Sequence, residues 1–157
     1  MGMIIDPYRF ASVAVVTFGA LVKKAADQTA ADYTTATIMA FDEEVYDYGG
    51  WHDNSTNNSR LTVPSGVSRV RIFAQVSVGS ITANVQRRIE LHMNNAVLSP
   101  EIFDTDTSGN ANPVNQVRSY VIPVSPGDYF EVKYKNTTDT SVTIVALETW
   151  FAIEKVE

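Results

Sequence analysis

Apolar and polar residues alternate with a period of two along most of this 157-residue chain. From Val70 to Val78, the residues Val70, Ile72, Ala74, Val76 and Val78 share one parity, and Arg69, Arg71, Phe73, Gln75 and Ser77 share the other. Side chains of a strand point alternately to its two faces, so this pattern predicts a half-buried strand. The same reading holds where Val85, Ile89, Leu91 and Met93 alternate with Gln86, Arg88, Glu90 and His92. It holds again where Phe130, Val132 and Tyr134 alternate with Glu131, Lys133 and Lys135. Further on, Val145, Leu147, Phe151 and Ile153 share one face and Val142, Ile144, Ala146 and Trp150 the other, which predicts a strand buried on both sides.

Turn-forming residues separate these runs: Pro64-Ser65-Gly66, Asn94-Asn95, Pro126-Gly127-Asp128 and the stretch Asn136 to Thr140. Two longer polar stretches, His52 to Arg60 and Asp104 to Gln116, read as loops. Only Lys23 to Asp32 reads as a short helix. The apolar run Phe10 to Val22 is too short to span a bilayer, which takes ~20 residues. Its Val13, Val15, Val16, Thr17 and Val22 favour a strand over the core of a signal peptide. Many strands with closely spaced turns predict an all-β sandwich or barrel.

The length suits one domain with a core of its own. Hydrophobic residues make up 45% and charged residues 19%, an ordinary globular balance. The formal charge is −6, and the 12 basic residues are scattered, with Lys23-Lys24, Arg69/Arg71 and Arg87-Arg88 the nearest things to clusters. A binder of phosphate backbones needs a basic face, so no nucleic-acid partner is expected. The chain has no cysteine, which excludes disulfides, thiolate metal sites and cysteine nucleophiles.

Two segments resemble the trimeric jelly-roll family of complement C1q heads and tumour necrosis factor, in particular the C1q-like domains of phage structural proteins. In the first, Phe41, Asp42, Glu44, Tyr46, Asp47 and Gly49 are followed by a polar loop and then Arg60, Leu61, Thr62, Val63 and Pro64. In the second, YVIPVSPGDYFEVKY and VTIVALETWFAI within Tyr120 to Ile153 resemble the family's late strands. Gly66 is followed by Val67-Ser68-Arg69-Val70 where the animal C1q form has an aromatic residue, so the likeness favours the phage type.

The resemblance implies a two-sheet antiparallel jelly-roll sandwich over residues 18–157, with residues 1–17 as an N-terminal extension. It implies a homotrimer whose copies pack about a threefold axis, with Phe73, Tyr134, Trp150 and Phe151 as candidates for the seam. The plain alternative places all four in the core of one chain. It further implies a non-enzymatic virion structural protein at the virion surface: a head spike, decoration protein or tail-tip module. Its expected partners are other virion proteins and a host-surface glycan or receptor. Tyr8, Arg9 and Phe10, in a stretch outside the jelly-roll pattern, are expected to dock on a neighbouring subunit or on the virion; the alternative is a disordered leader.

Candidate chemistry is sparse. There are two histidines, His52 beside Asp53 in a polar loop and His92 on the polar face of its strand, where it reads as solvated. No Gly-x-Ser-x-Gly elbow and no phosphate-cradling glycine loop is present, so no catalytic residue is assigned. Asp42, Glu43, Glu44 and Asp47, and again Asp104 and Asp106, invite a calcium reading. Neither set has the spacing of a calcium loop, so they read as solvated acids and no metal or cofactor is expected. Tyr46, Tyr48 and Trp51, with His52 and Asp53, form the candidate ligand site, because flat rings beside carboxylates suit sugar recognition. A carbohydrate- or receptor-binding module is therefore the alternative function, and a small hydrolase a distant third.

Overall fold

A computed structural model describes residues 18–30, 35–79, 86–99, 101–106, 113–136 and 142–156. In chain order the strands are β1 (Gly19–Lys23), β2 (Gln28–Ala30), β3 (Thr37–Ile38), β4 (Glu43–Tyr48), β5 (Arg60–Thr62), β6 (Arg69–Ser77) and β7 (Arg87–Met93). They continue as β8 (Ala96–Val97), β9 (Phe103–Asp106), β10 (Val114–Arg118), β11 (Ile122–Pro123), β12 (Tyr129–Asn136), β13 (Val142–Ile144) and β14 (Trp150–Lys155). Among the described residues no helix is long and apolar enough to cross a membrane.

The first sheet runs β10-β6-β14-β1-β4, with β11 also pairing with β6. The second runs β3-β12-β7-β8, with β5 on β12 and β9 on β7, and β13 pairs with β2 in a small third sheet. The interstrand pairings are antiparallel. The architecture is the expected all-β two-sheet sandwich.

Alternation places the core. Ala20 and Val22 of β1, Val70, Ile72, Ala74 and Val76 of β6, and Phe151 and Ile153 of β14 are buried on the inner face of the first sheet. Leu61, Ile89, Leu91, Phe130, Val132 and Tyr134 meet them from the second. Each large apolar side chain so buried contributes roughly 1.5–3 kcal/mol. Between β7 and β8, Asn94 and Asn95 adopt φ of 52° and 67°, as a two-residue hairpin turn requires. The glycine at position 19 is needed for packing, because a Cβ there would collide with the carbonyl oxygen of Ile153 on β14.

Three sequence expectations are corrected, the first being the loop read from Asp104 to Gln116, whose two ends lie in β9 and β10. The stretch Lys23 to Asp32 is no helix: Lys23 ends β1 and Gln28 begins β2, while residues 31–34 lie outside the described part. Its local helix propensity is overridden by tertiary contacts. The Lys24 side chain is buried, and its Nζ donates to Gln28 Oε1 at 2.7 Å and to the Ala40 carbonyl at 2.8 Å. Burial pushes that amine below its usual value, against the upward pull of Asp42 and Asp27. The closing run is likewise not one strand buried on both sides. A 3-10 turn at Ala146–Glu148 separates β13 from β14, and they belong to different sheets. Leu147, expected beside Phe151 on a core face, is 92% exposed on that turn.

Candidate functional site

The candidate residues of the segment EEVYDYGGWHD begin on β4, the edge strand of the first sheet. Its pairing with β1 runs Tyr46 to Leu21 and then Glu44 to Val22, leaving Val45 as an extra bulged residue. A bulge resets alternation. On one side of it Glu43 lies opposite Lys23; on the other Tyr46 lies opposite Leu21 and Tyr48 opposite Gly19. The Tyr46 and Tyr48 rings stack on each other with centroids 5.5 Å apart, and Tyr48 is 57% exposed.

Past Tyr48 the chain turns through Gly49 and Gly50, both at positive φ that glycine adopts without steric cost. Asp47 organises this turn: its carboxylate accepts from the backbone N–H groups of Gly50, Trp51 and His52 at 2.9–3.1 Å. Trp51 therefore points inward, buried in the core, and its Nε1 donates to the Tyr48 carbonyl at 3.1 Å. The His52 side chain is buried too, between Glu44 Oε1 at 3.1 Å and the Asn58 carbonyl oxygen at 3.2 Å. Asp53 is exposed beyond it and accepts from Ser55 and Thr56, which hold its carboxyl below the usual range.

The five candidate ligand residues thus do not share one surface. Tyr46 and Tyr48 face out from the sheet. Trp51 and His52 are structural, so an exposed ring at Trp51 for stacking on a sugar is corrected.

The acids read for calcium have partners. Asp42 Oδ1 accepts from the Ala25 N–H at 2.6 Å, and Glu43 pairs with Lys23 at 2.9 Å. Asp104 Oδ2 accepts from Asn115 Nδ2 and the Gln116 N–H. Among the described residues no group of three or more His, Cys, Asp or Glu side chains is placed to share a metal ion.

The outer face of the first sheet is apolar. Leu21, Val45, Tyr46, Phe73, Trp150 and Ala152 line a groove of about 420 Å³, with Leu147 at its rim and Lys23 and Glu154 beside it. Phe73 and Trp150 are half-buried on this outer face. Tyr134 and Phe151 are not, and their assignment to the seam is corrected. Both are fully buried in the core of the single chain, Phe151 with its ring centroid 5.5 Å from that of Phe41. Burial pushes the Tyr134 hydroxyl up to about 12. Sequence reasoning missed Leu21, Val45 and Leu147. The bulge and the 3-10 turn shift the parity at the last two, and no local residue pattern announces either shift.

The outer face of the second sheet is ionic. Glu90 Oε1 lies 2.9 Å from Lys135 Nζ and 2.7 Å from Arg88 Nε, and Arg88 also reaches Glu101. Burial raises the Glu90 carboxyl, but hydrogen bonds from Lys135 and His92, with the charges of Lys135 and Arg88, outweigh it and hold the group below its usual value. Arg60 donates to Glu131 at 3.0 Å and lies 4.0 Å over the Tyr129 ring. His92, expected to be solvated, is 7% exposed and sits 3.1 Å from Glu90 Oε2, so that expectation is corrected. Tyr8, Arg9 and Phe10 lie outside the described residues.

No protein-family model and no curated protein matches the chain. Solved structures do. Murine APRIL at pH 8.5 superposes with a TM-score of 0.62 at 11% identity, over 88% of this chain and 98% of that one. The globular domain of zebrafish complement 1qA gives 0.56 at 13% identity, over 88% and 97%. At such identities the likeness is one of fold. The chain is a jelly-roll sandwich of the tumour necrosis factor and C1q type.

Proposed function

We propose that this chain is a non-enzymatic structural module that works as a homotrimer, built by packing the outer face of the first sheet against its counterparts in two further copies. The observation that carries this reading is the groove of Leu21, Val45, Tyr46, Phe73 and Trp150 on one outside face of an otherwise closed sandwich. Monomeric soluble proteins rarely leave contiguous apolar patches of this kind uncovered. Lys23, Arg71 and Arg118 stand around the patch with Glu43 and Glu154, so its rim carries both signs of charge. That suits contact with another copy of itself. The jelly-roll fold, seen in APRIL and the complement head, supports the same reading.

The setting we propose is the surface of a bacteriophage particle, as a head spike, decoration protein or tail-tip module. This part rests on the run from Phe41 to Pro64 and its likeness to phage C1q-like domains. Tyr8, Arg9 and Phe10 are proposed to contact other virion proteins.

Light scattering on the purified chain tests the assembly: three times the chain mass is expected, and a stable monomer at working concentration rejects it. Mass spectrometry of purified particles tests the setting, and absence of the chain from them rejects it.

A second reading, a carbohydrate- or receptor-binding module, is favoured by the exposed Tyr48 ring stacked on Tyr46. Binding on a glycan array that is lost in Tyr48→Ala is expected from this reading. No binding by the unaltered trimer rejects it.

A further inference from the structure

We infer that Leu147 of each copy seats in the apolar groove of the next copy, so that the subunits close as a ring of knobs in grooves. The inference rests on the trimer proposed above and names the residue that enters the site.

The knob is held in place before any partner arrives. Leu147 is the middle residue of the 3-10 turn Ala146–Glu148 and is 92% exposed. A single exposed leucine is ordinary on a protein surface. This one stands at the rim of an apolar groove, on a turn pinned at both ends. Before it, the Val145 N–H donates to the Ser77 carbonyl at 2.9 Å, and the Ala146 N–H donates to Asp27 Oδ1 at 2.8 Å. After it, Gln75 Nε2 donates to the Glu148 carbonyl at 2.7 Å, and Ser77 Oγ donates to Glu148 Oε2 at 2.9 Å. Thr149 is fully buried; its hydroxyl donates to the Val145 carbonyl at 2.7 Å and accepts from the Ser77 N–H at 3.1 Å. A group fixed in advance loses less conformational freedom when it binds.

The groove suits the knob. A cavity of about 150 Å³ holds a benzene ring. The groove, at about 420 Å³, therefore takes the smaller side chain of a leucine with part of its turn. Leu21, Val45, Phe73 and Ala152 in its walls ask no hydrogen bond of a guest.

Charge selects a second copy as that guest. Each copy carries a formal charge of −6, so two copies repel unless the faces that meet compensate. At the rim, Glu43 is paired with Lys23 at 2.9 Å and Glu154 with Arg71 at 3.2 Å, which neutralises these acids within each copy. Beside the knob stands the exposed acid Glu148. Beside the groove stands the exposed base Arg118, its guanidinium 5.9 Å from the centroid of the Phe73 ring. Knob and groove thus bring opposite signs to each other, as copies meeting head to tail require. Because they are different parts of one surface, the contact is heterologous, and such contacts close into rings.

The absence of cysteine makes a clean test available. Two full-length chains are co-expressed with different tags, one carrying Leu147→Cys and the other Val45→Cys, and the trimers are treated with a short bis-maleimide. A covalent species bearing both tags is expected. With Lys133→Cys, on the outer face of the second sheet, in place of Val45→Cys, none is expected. A trimer that gives no two-tag species, or gives it equally with Lys133→Cys, overturns the inference. As a second measurement, Leu147→Ser is expected to keep the β-sheet circular-dichroism spectrum and to raise the protein concentration at which trimers dissociate roughly 10-fold or more. Leu147→Met, which conserves volume, is expected to stay within about 2-fold of the unaltered chain. An unchanged midpoint in Leu147→Ser, or equal losses in both variants, overturns the knob. A full chain that is monomeric sinks the trimer reading and this one together, whereas a trimer whose assembly ignores Leu147 sinks this one alone.

Discussion

On the second sheet, the outward positions of β7 and β12 are Arg88, Glu90 and His92 facing Lys135, Lys133 and Glu131 across the strands. On the first, the outward positions of β14 and β6 are Trp150, Ala152 and Glu154 facing Gln75, Phe73 and Arg71. Both faces lie outside the same core, and each inner face is built from the same Val, Ile, Leu and Phe. The ionic face covers itself: its acids are among the least exposed in the chain, Glu90 at 5% and Glu131 at 1%. The apolar face has no such internal cover and retains a groove. The comparison teaches that burial and partnership are separate questions. A charged outer face can be finished within one chain, while an apolar one stays open to a partner, as the proposed trimer would supply.

The largest expected effects come from splitting one adjacent pair. Phe151→Ala removes a core ring and should cost about 3–5 kcal/mol of folding stability, read from denaturant unfolding. Trp150→Glu, one residue away and facing out, should leave the β-sheet circular-dichroism spectrum intact and convert the trimer to monomer by light scattering. A hot-spot aromatic of this kind carries about 2 kcal/mol or more per interface. If the two substitutions act alike, the inward and outward faces have been wrongly distinguished.

Next in size is a cut in the ionic face. Among the described residues, Arg60→Ala leaves the buried Glu131 carboxylate with only Ser59 Oγ, at 3.3 Å, still donating to it. Removing one partner of a buried pair costs several kcal/mol, and Arg60 is part-exposed, so about 2–3 kcal/mol is expected. Trimer mass should not change. Loss of assembly at near-normal stability would show that the second sheet takes part in it.

The strands that alternate without interruption were legible from residues alone. β6 and β12 run in the expected phase, and Asn94-Asn95 and Pro126-Gly127-Asp128 turn where they should. The same alternation places Tyr134 with Phe130 and Val132 on the apolar face, so a seam role for it runs against its parity. Phe151 and Trp150 differ by one residue and so by one face, which composition cannot separate. What stayed illegible depends on events with no local signature. The bulge at Val45 brings a valine and two tyrosines to one face, and the 3-10 turn throws Leu147 outward. Trp51 and His52 looked like loop residues because the carboxylate that turns them inward, Asp47, sits four and five residues before them on another element.

The smallest effect separates the faces by pH. In the folded chain Glu90 is held below its ordinary value of 4.5, chiefly by Lys135 and His92 acting against the burial that would raise it. A carboxyl with a depressed folded value binds fewer protons folded than unfolded through the interval between the two. Its contribution is therefore complete above pH 4.5 and fades as pH falls through the folded value. Glu90→Gln cannot titrate. At neutral pH it should be less stable than the unaltered chain by about 1 kcal/mol or less, the scale of partly exposed ion pairs. Denaturant unfolding at steps from neutral to strongly acidic pH should show this difference shrinking toward zero. Tyr48→Ala, which alters only the first sheet, should keep a constant offset over the same range. A difference for Glu90→Gln that stays flat into acid would mean that Glu90 acts by packing alone, and that the second outer face is finished by shape rather than by charge.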